Sequence, residues 1–181
     1  MKRRTLMASA AATLATLTGC AGPQVADYAG QTPKLDLRSY FNGTLNAYGV
    51  FTDRSGKVVK RFTVLMVCTW TGDDGVLDES FTYSDGTLQK RIWRLHREAD
   101  GPSTVRYTGR ADDVVGEAVG EESGNAFHWR YTLALPVDGT VYHVQFDDWM
   151  YLMTDQVMLN KATMSKLGIK LGEVTLSFTK I

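Results

Sequence analysis

Five glycine-bearing turn signals divide the chain at short intervals: Asp53-Arg54-Ser55-Gly56, Gly72-Asp73-Asp74-Gly75, Ser84-Asp85-Gly86, Asp100-Gly101-Pro102 and Val137-Asp138-Gly139. The segments between them are rich in Val, Thr, Phe, Tyr and Trp, and Asp-Gly between alternating segments is the strongest short-range hairpin signal. Strands are expected at Thr44 to Phe51, Val58 to Thr71, Val76 to Tyr83, Leu88 to Arg97 and Thr104 to Arg110. Five more follow at Glu117 to Glu121, Ala126 to Leu135, Val141 to Trp149, Val157 to Ser165 and Ile169 to Lys180. Helix is confined to about one turn between Leu35 and Phe41.

Turn chemistry also sets register, because a slip of one residue sends every side chain to the opposite face. A three-residue loop at Ser84-Asp85-Gly86 pairs Phe81 with Gln89, Glu79 with Arg91 and Leu77 with Trp93. A two-residue turn at Asp138-Gly139 pairs Leu135 with Tyr142, Leu133 with Val144, Tyr131 with Phe146 and Trp129 with Asp148. It also places Arg130 opposite Asp147 and Thr132 opposite Gln145, so one face is apolar and the other polar.

From Leu35 to Ile181 there is no composition break and no internal repeat, which gives one domain. About ten antiparallel strands in one small domain expose edges unless the sheet closes. The expectation is an all-β, closed or nearly closed antiparallel barrel of about eight to ten strands, lipocalin-like, with an interior filled by side chains or holding one small ligand. A two-sheet β-sandwich is the alternative.

The formal charge of zero conceals an asymmetry. Residues 1–19 hold Lys2, Arg3 and Arg4 and no acid, so the remainder carries 17 basic and 20 acidic groups, a net of −3. That sign argues against nucleic acid as a partner. The start reads as an export signal: a basic Met1 to Arg4, then an apolar stretch from Leu6 to Leu17 too short to span a bilayer. Leu17-Thr18-Gly19-Cys20 resembles the bacterial lipobox, which makes residues 1–19 a lipoprotein signal peptide and Cys20 the lipidated N-terminus. Two acyl chains hold a protein stably to a membrane, and the usual bacterial modification supplies three. Ala21 rather than Asp after the cysteine favours the outer membrane, facing the periplasm. Residues 20–34, with Gly22, Pro23, Gly30 and Pro33, read as a flexible tether reaching at most about 50 Å. With Cys20 acylated, Cys68 has no disulfide partner and is expected as a buried small hydrophobe.

Phe41-Asn42-Gly43, Asp53 to Val58, Arg61-Phe62, Gly116-Glu117-Ala118, Gly124-Asn125-Ala126, Trp129-Arg130-Tyr131 and Asp147 to Tyr151 are the segments that carry a family likeness. Through them the body, from about Tyr28 to Lys180, resembles the proteobacterial lipoproteins of domain-of-unknown-function family 3833. The resemblance implies a lipocalin-like exported lipoprotein and transfers no catalytic residue.

The candidate interior is Tyr48, Phe62, Met66, Glu79, Arg91, Trp93, Trp129, Tyr131 and Asp148. In one reading Arg91 holds a carboxylate head group while the aromatics enclose a chain; in the other Glu79 and Arg91 satisfy each other. Asp148 points inward, positioned to take the Trp129 indole proton, whereas Asp147 faces outward. The histidines, His96, His128 and His143, are scattered without ligand spacing, so no metal and no other cofactor is expected. Asp112-Asp113 and Asp73-Asp74 read as solvated loop acids, and residues 116–121 as a glycine-punctuated edge strand. The leading functional expectation is an envelope lipoprotein that binds or handles a lipid-like molecule. The alternatives are an assembly lipoprotein with a solid barrel that binds an envelope protein, and an enzyme using Asp148 or Glu79 as acid/base, which requires a pocket reaching one of them.

Overall fold

In a computed structural model, which describes residues 22–100, 104–137 and 139–181, ten strands follow one another along the chain. They are β1 (Gly43–Asp53), β2 (Val58–Thr71), β3 (Asp74–Tyr83), β4 (Leu88–Asp100), β5 (Val105–Arg110), β6 (Ala118–Ser123), β7 (Ala126–Val137), β8 (Thr140–Leu152), β9 (Val157–Lys166) and β10 (Ile169–Lys180). Each pairs antiparallel with its sequence neighbours and β10 pairs with β1, so the sheet closes into an up-and-down barrel rather than a sandwich. Residues 1–21, and with them the expected signal and Cys20, lie outside the described residues, as do residues 101–103 and Asp138 of two expected turns.

Both expected registers are present. Leu77, Glu79 and Phe81 on β3 face Trp93, Arg91 and Gln89 on β4, with Gly86 at φ +84° taking the left-handed position of the connecting turn. Trp129, Tyr131, Leu133 and Leu135 on β7 face Asp148, Phe146, Val144 and Tyr142 on β8. Strand β6 is not an edge: it is hydrogen-bonded to β5 on one side and β7 on the other. Its glycine has a packing reason, because a Cβ at Gly120 would run into the Phe127 and Trp129 rings.

One end of the barrel is plugged by the segment leading into β1. A short helix, α1 (Leu37–Tyr40), is capped by Asp36, whose carboxylate accepts the Ser39 N–H at 2.9 Å. Leu35, Leu37, Tyr40 and Phe41 are all buried there. The Tyr40 hydroxyl lies 3.1 Å from the Gln156 carbonyl and 3.2 Å from that of Phe178, and the Trp70 indole donates to the Phe41 carbonyl at 2.7 Å. The stretch expected as a free tether is held well before this plug. Val25 is buried in a 3-10 turn (Val25–Tyr28), and the Tyr28 ring packs against Trp149 and Tyr151 on the outer wall. Single apolar anchors hold this stretch, so it shows no period in the sequence.

The plug is tied to the barrel by an acid that the strand pattern did not single out. Glu122, inward-facing on β6, accepts the Leu37 N–H at 2.7 Å and the Tyr107 hydroxyl at 3.3 Å. Burial pushes its carboxyl up from 4.5 to about 7, against the opposing pull of the Leu37 N–H. A carboxyl raised in the folded state contributes stability below its unfolded value and loses it as pH climbs through the folded one. The shift corresponds to about 3 kcal/mol lost between roughly pH 4.5 and pH 7.5. Chemical unfolding at pH 5 and pH 8 should therefore show a more stable protein at pH 5, with Glu122→Gln reducing that difference in part, since burial raises the Glu79 and Asp148 carboxyls as well. Stability that rises toward pH 8 in the wild type, or an unchanged difference in Glu122→Gln, contradicts this assignment.

Candidate functional site

Inward-facing residues of β2, β3, β4, β7 and β8 surround a cavity of about 200 Å³ running from the plug residues Leu37 and Phe41 toward the opposite end. Gln89 and Tyr83 line its far end, where Gln89 is exposed and accepts the Tyr83 hydroxyl at 2.8 Å; this is the mouth. Eight of the nine residues expected inside line the cavity: Phe62, Met66, Glu79, Arg91, Trp93, Trp129, Tyr131 and Asp148. Tyr48 does not. It stands on the outer wall, 55% exposed, in a shallow groove with Leu159 and Ser177. The inward row of β1 here is Leu45, Ala47 and Gly49, small because the Phe62 ring of β2 occupies the space over Gly49.

The walls are aromatic. Trp93 meets Trp129 and Tyr131 edge-on at 5.7 and 5.3 Å between ring centres, and Tyr131 stacks on Phe146 at 5.0 Å. Cys68, also inward on β2, is 1% exposed, and burial pushes its thiol up to about 12, so it is a core hydrophobe without nucleophilic character.

Two polar groups interrupt the apolar lining. In the first, Arg91 donates through Nε to both Asp113 oxygens, at 3.1 and 3.0 Å, and through Nη2 at 2.6 Å. Asp113 was expected to be solvated. It is carried inward by the β5–β6 connection, which rides along β7: the Ala134 N–H donates to the Asp113 carbonyl and the Val115 N–H to that of Thr132, both at 2.8 Å. Asp73 and Asp74 do lie largely exposed at the opposite end. The Glu79 carboxylate comes only to 4.0 Å of Arg91 Nη1, beyond hydrogen-bond distance. Burial pushes the Glu79 carboxyl up to about 7, with Arg91 pulling it down less strongly. Burial also opposes the Arg91 charge, but the Asp113 fork holds the guanidinium above its ordinary value. The opposite tendencies of the two partners are consistent, because Asp113 rather than Glu79 is the counter-ion of Arg91.

The second group is Asp148. It does not take the Trp129 indole proton. Its Oδ2 accepts the Tyr131 hydroxyl at 3.1 Å and its Oδ1 accepts the Asn160 amide, while its neighbour Asp147 faces outward and receives the Trp149 indole at 2.9 Å. Burial pushes the Asp148 carboxyl up to about 6, and its two hydrogen bonds only partly counter that. Among the described residues no three His, Cys, Asp or Glu side chains gather as a metal site.

The closed barrel, the plugged end and the apolar cavity define a lipocalin-like barrel protein. Residues 14–180 match the family described as protein of unknown function (DUF3833), and the chain belongs to it. Comparison with the curated proteins finds no match. Among solved structures, the S-type phycobiliprotein lyase CPES from Guillardia theta is similar with a TM-score of 0.60 at 10% identity, covering 88% of this chain and 98% of the lyase, which is a likeness of fold. A de novo designed fluorescence-activating β-barrel aligns at a TM-score of 0.43 and 13% identity, covering 81% of this chain and 99% of the design.

Proposed function

We propose that the protein is an envelope lipoprotein that binds a slender, lipid-like hydrophobic molecule inside its barrel. The observation that carries this reading is the cavity of about 200 Å³, walled by aromatic and aliphatic side chains and broken by two polar groups. Binding sites for small molecules have this character, although they are usually somewhat larger, roughly 300 Å³ and up. For scale, an apolar cavity of about 150 Å³ takes up benzene. A single alkyl chain or one small ring fits; a branched or multi-chain lipid does not.

Anchoring belongs to the same proposal. Acyl chains on Cys20 would hold the protein to the outer membrane, facing the periplasm. Because Val25 is already fixed on the barrel, only residues 21–24 separate the body from Cys20, a span of at most about 14 Å. The plugged end then lies against the bilayer and the mouth opens away from it. The binding half of the proposal is tested by native mass spectrometry of the chain from Ala21 onward, exported behind a cleavable secretory signal and purified without detergent. One-to-one adducts are expected, and a bare mass that takes up no alkyl compound on titration opposes the reading.

A second reading, an enzyme that uses Glu79 or Asp148 as its proton-transferring group on a lipid-like substrate, is favoured by one observation: both carboxyls face the cavity and both bind protons more tightly than usual. The third, binding of an envelope protein partner, draws on the outer wall, where Leu65 and Val67 of β2 and Val76 of β3 stand exposed side by side.

A further inference from the structure

The charges facing the cavity are out of balance. Two carboxyls, Glu79 and Asp148, line it with one guanidinium, Arg91, which is already paired with Asp113, and among the described residues no lysine or histidine lines the space. Nε and Nη2 of Arg91 are spent on Asp113, and Nη1 turns toward Glu79. An anionic head group reaching Nη1 would arrive beside the Glu79 and Asp148 carboxyls, which oppose it, so the arrangement weighs against Arg91 as the holder of a carboxylate.

Glu79 is the complementary case. It is nine-tenths buried and lines the cavity, and among the described residues its one polar partner is Arg91 Nη1 at 4.0 Å. Asp148 has two hydrogen bonds, but both donors, Tyr131 and Asn160, are neutral. A carboxylate out of water without a cation is unfavourable, and a charged donor placed against it relieves that cost. Burial accordingly raises the proton affinity of both groups, and Glu79 is raised further by the nearby Asp148 charge. The aromatic faces of Trp93, Trp129 and Tyr131 beside them are surfaces that attract cations as well.

We propose that the polar end of the bound molecule is a cation, an alkylammonium group received by Glu79 and Asp148, so that the cavity selects lipophilic amines over fatty acids of the same length. This rests on the reading that the cavity takes a hydrophobic ligand. Arg91 is then a positioning residue: with Asp113 it holds the wall beside Glu79 and leaves Glu79 free for the ligand.

The test is calorimetric titration of the same lipid-free protein at pH 8 with octylamine, octanol and octanoate, which share one chain and differ in charge. Octylamine should bind at least tenfold tighter than octanol, with octanoate weakest. Glu79→Gln should weaken octylamine at least tenfold more than it weakens octanol. Asp148→Asn is titrated alongside and should weaken octylamine in the same direction, which keeps the test decisive if one variant does not fold. Octanoate binding as tightly as octylamine, or octylamine matching octanol, overturns the cation assignment while leaving the hydrophobic cavity standing. Failure of all three compounds to bind overturns both.

Discussion

Replacing Arg91 by Met should lower the free energy of unfolding by about 3–5 kcal/mol, the largest effect expected of any single substitution in the barrel wall. The side chain is 15% exposed and Asp113 25%, so both charges are largely withdrawn from water. Their attraction is well realised, through three contacts of 2.6 to 3.1 Å. Removing the guanidinium leaves Asp113 unpaired near Glu79 and Asp148, and the β5–β6 connection loses this charged tie to β4. Met keeps much of the aliphatic bulk, so the loss reads charge more than volume. Arg91→Met combined with Asp113→Asn should recover a large part of the stability, since no unpaired charge is then left behind. Denaturant unfolding of the two single variants and the double variant measures this directly. Additive losses across the three would show that Asp113 and Arg91 do not act as a pair.

The second large effect is all-or-none. Cys20→Ser should abolish labelling by radioactive palmitate in growing cells and leave residues 1–19 uncleaved, because the lipoprotein signal peptidase cuts only after the thiol has been acylated. The unprocessed chain should stay in the membrane pellet through its apolar stretch Leu6 to Leu17. Replacing residues 1–20 by a cleavable secretory signal should instead release the body to the soluble periplasmic fraction, since one acyl chain gives marginal binding, two or more give stable anchoring, and none is then attached. Retention of that protein in the pellet would mean that the body holds to membranes by another route. Labelling that persists in Cys20→Ser would remove Cys20 as the site.

Much of the fold was legible because turn chemistry and side-chain alternation are local. Gly86 and the Asp138-Gly139 pair each permit one coherent register, and both registers are found in the barrel. Closure was legible from the strand count and the cost of edges. The failures share a different physical origin. Tyr48 was expected inside, yet it is Ala47 and Gly49 that face inward, where the Phe62 ring from the next strand fills the space over Gly49. Asp113 looked like a loop acid because its partner, Arg91, lies 22 residues away and is reached only when the β5–β6 connection folds along β7. Glu122 shows the same limit over a longer distance: its hydrogen bond to Leu37 spans 85 residues. Residues 20–34 looked like a tether because Val25 is a lone apolar anchor, and a period needs repetition to be seen.

The candidate interior was therefore legible as a face. Alternation identified which side of β3, β4, β7 and β8 points inward, and eight residues named on that basis line the cavity. What alternation could not supply was the partner of each polar group. Arg91 gained Asp113, Asp148 gained Tyr131 and Asn160, and Glu79 was left facing the cavity. Those partners are what the proposal of a cationic ligand rests on.

The central claim, that the barrel encloses a binding site and not merely a packing defect, is tested most directly by detergent-free native mass spectrometry of the lipid-free protein, exported behind a cleavable secretory signal and taken from the periplasmic fraction. The account predicts a one-to-one species heavier than the bare chain by the mass of one small molecule, released on mild collisional activation and displaced by octylamine. A single species at the mass of the bare chain, unchanged by excess octylamine, octanol or octanoate, would contradict it.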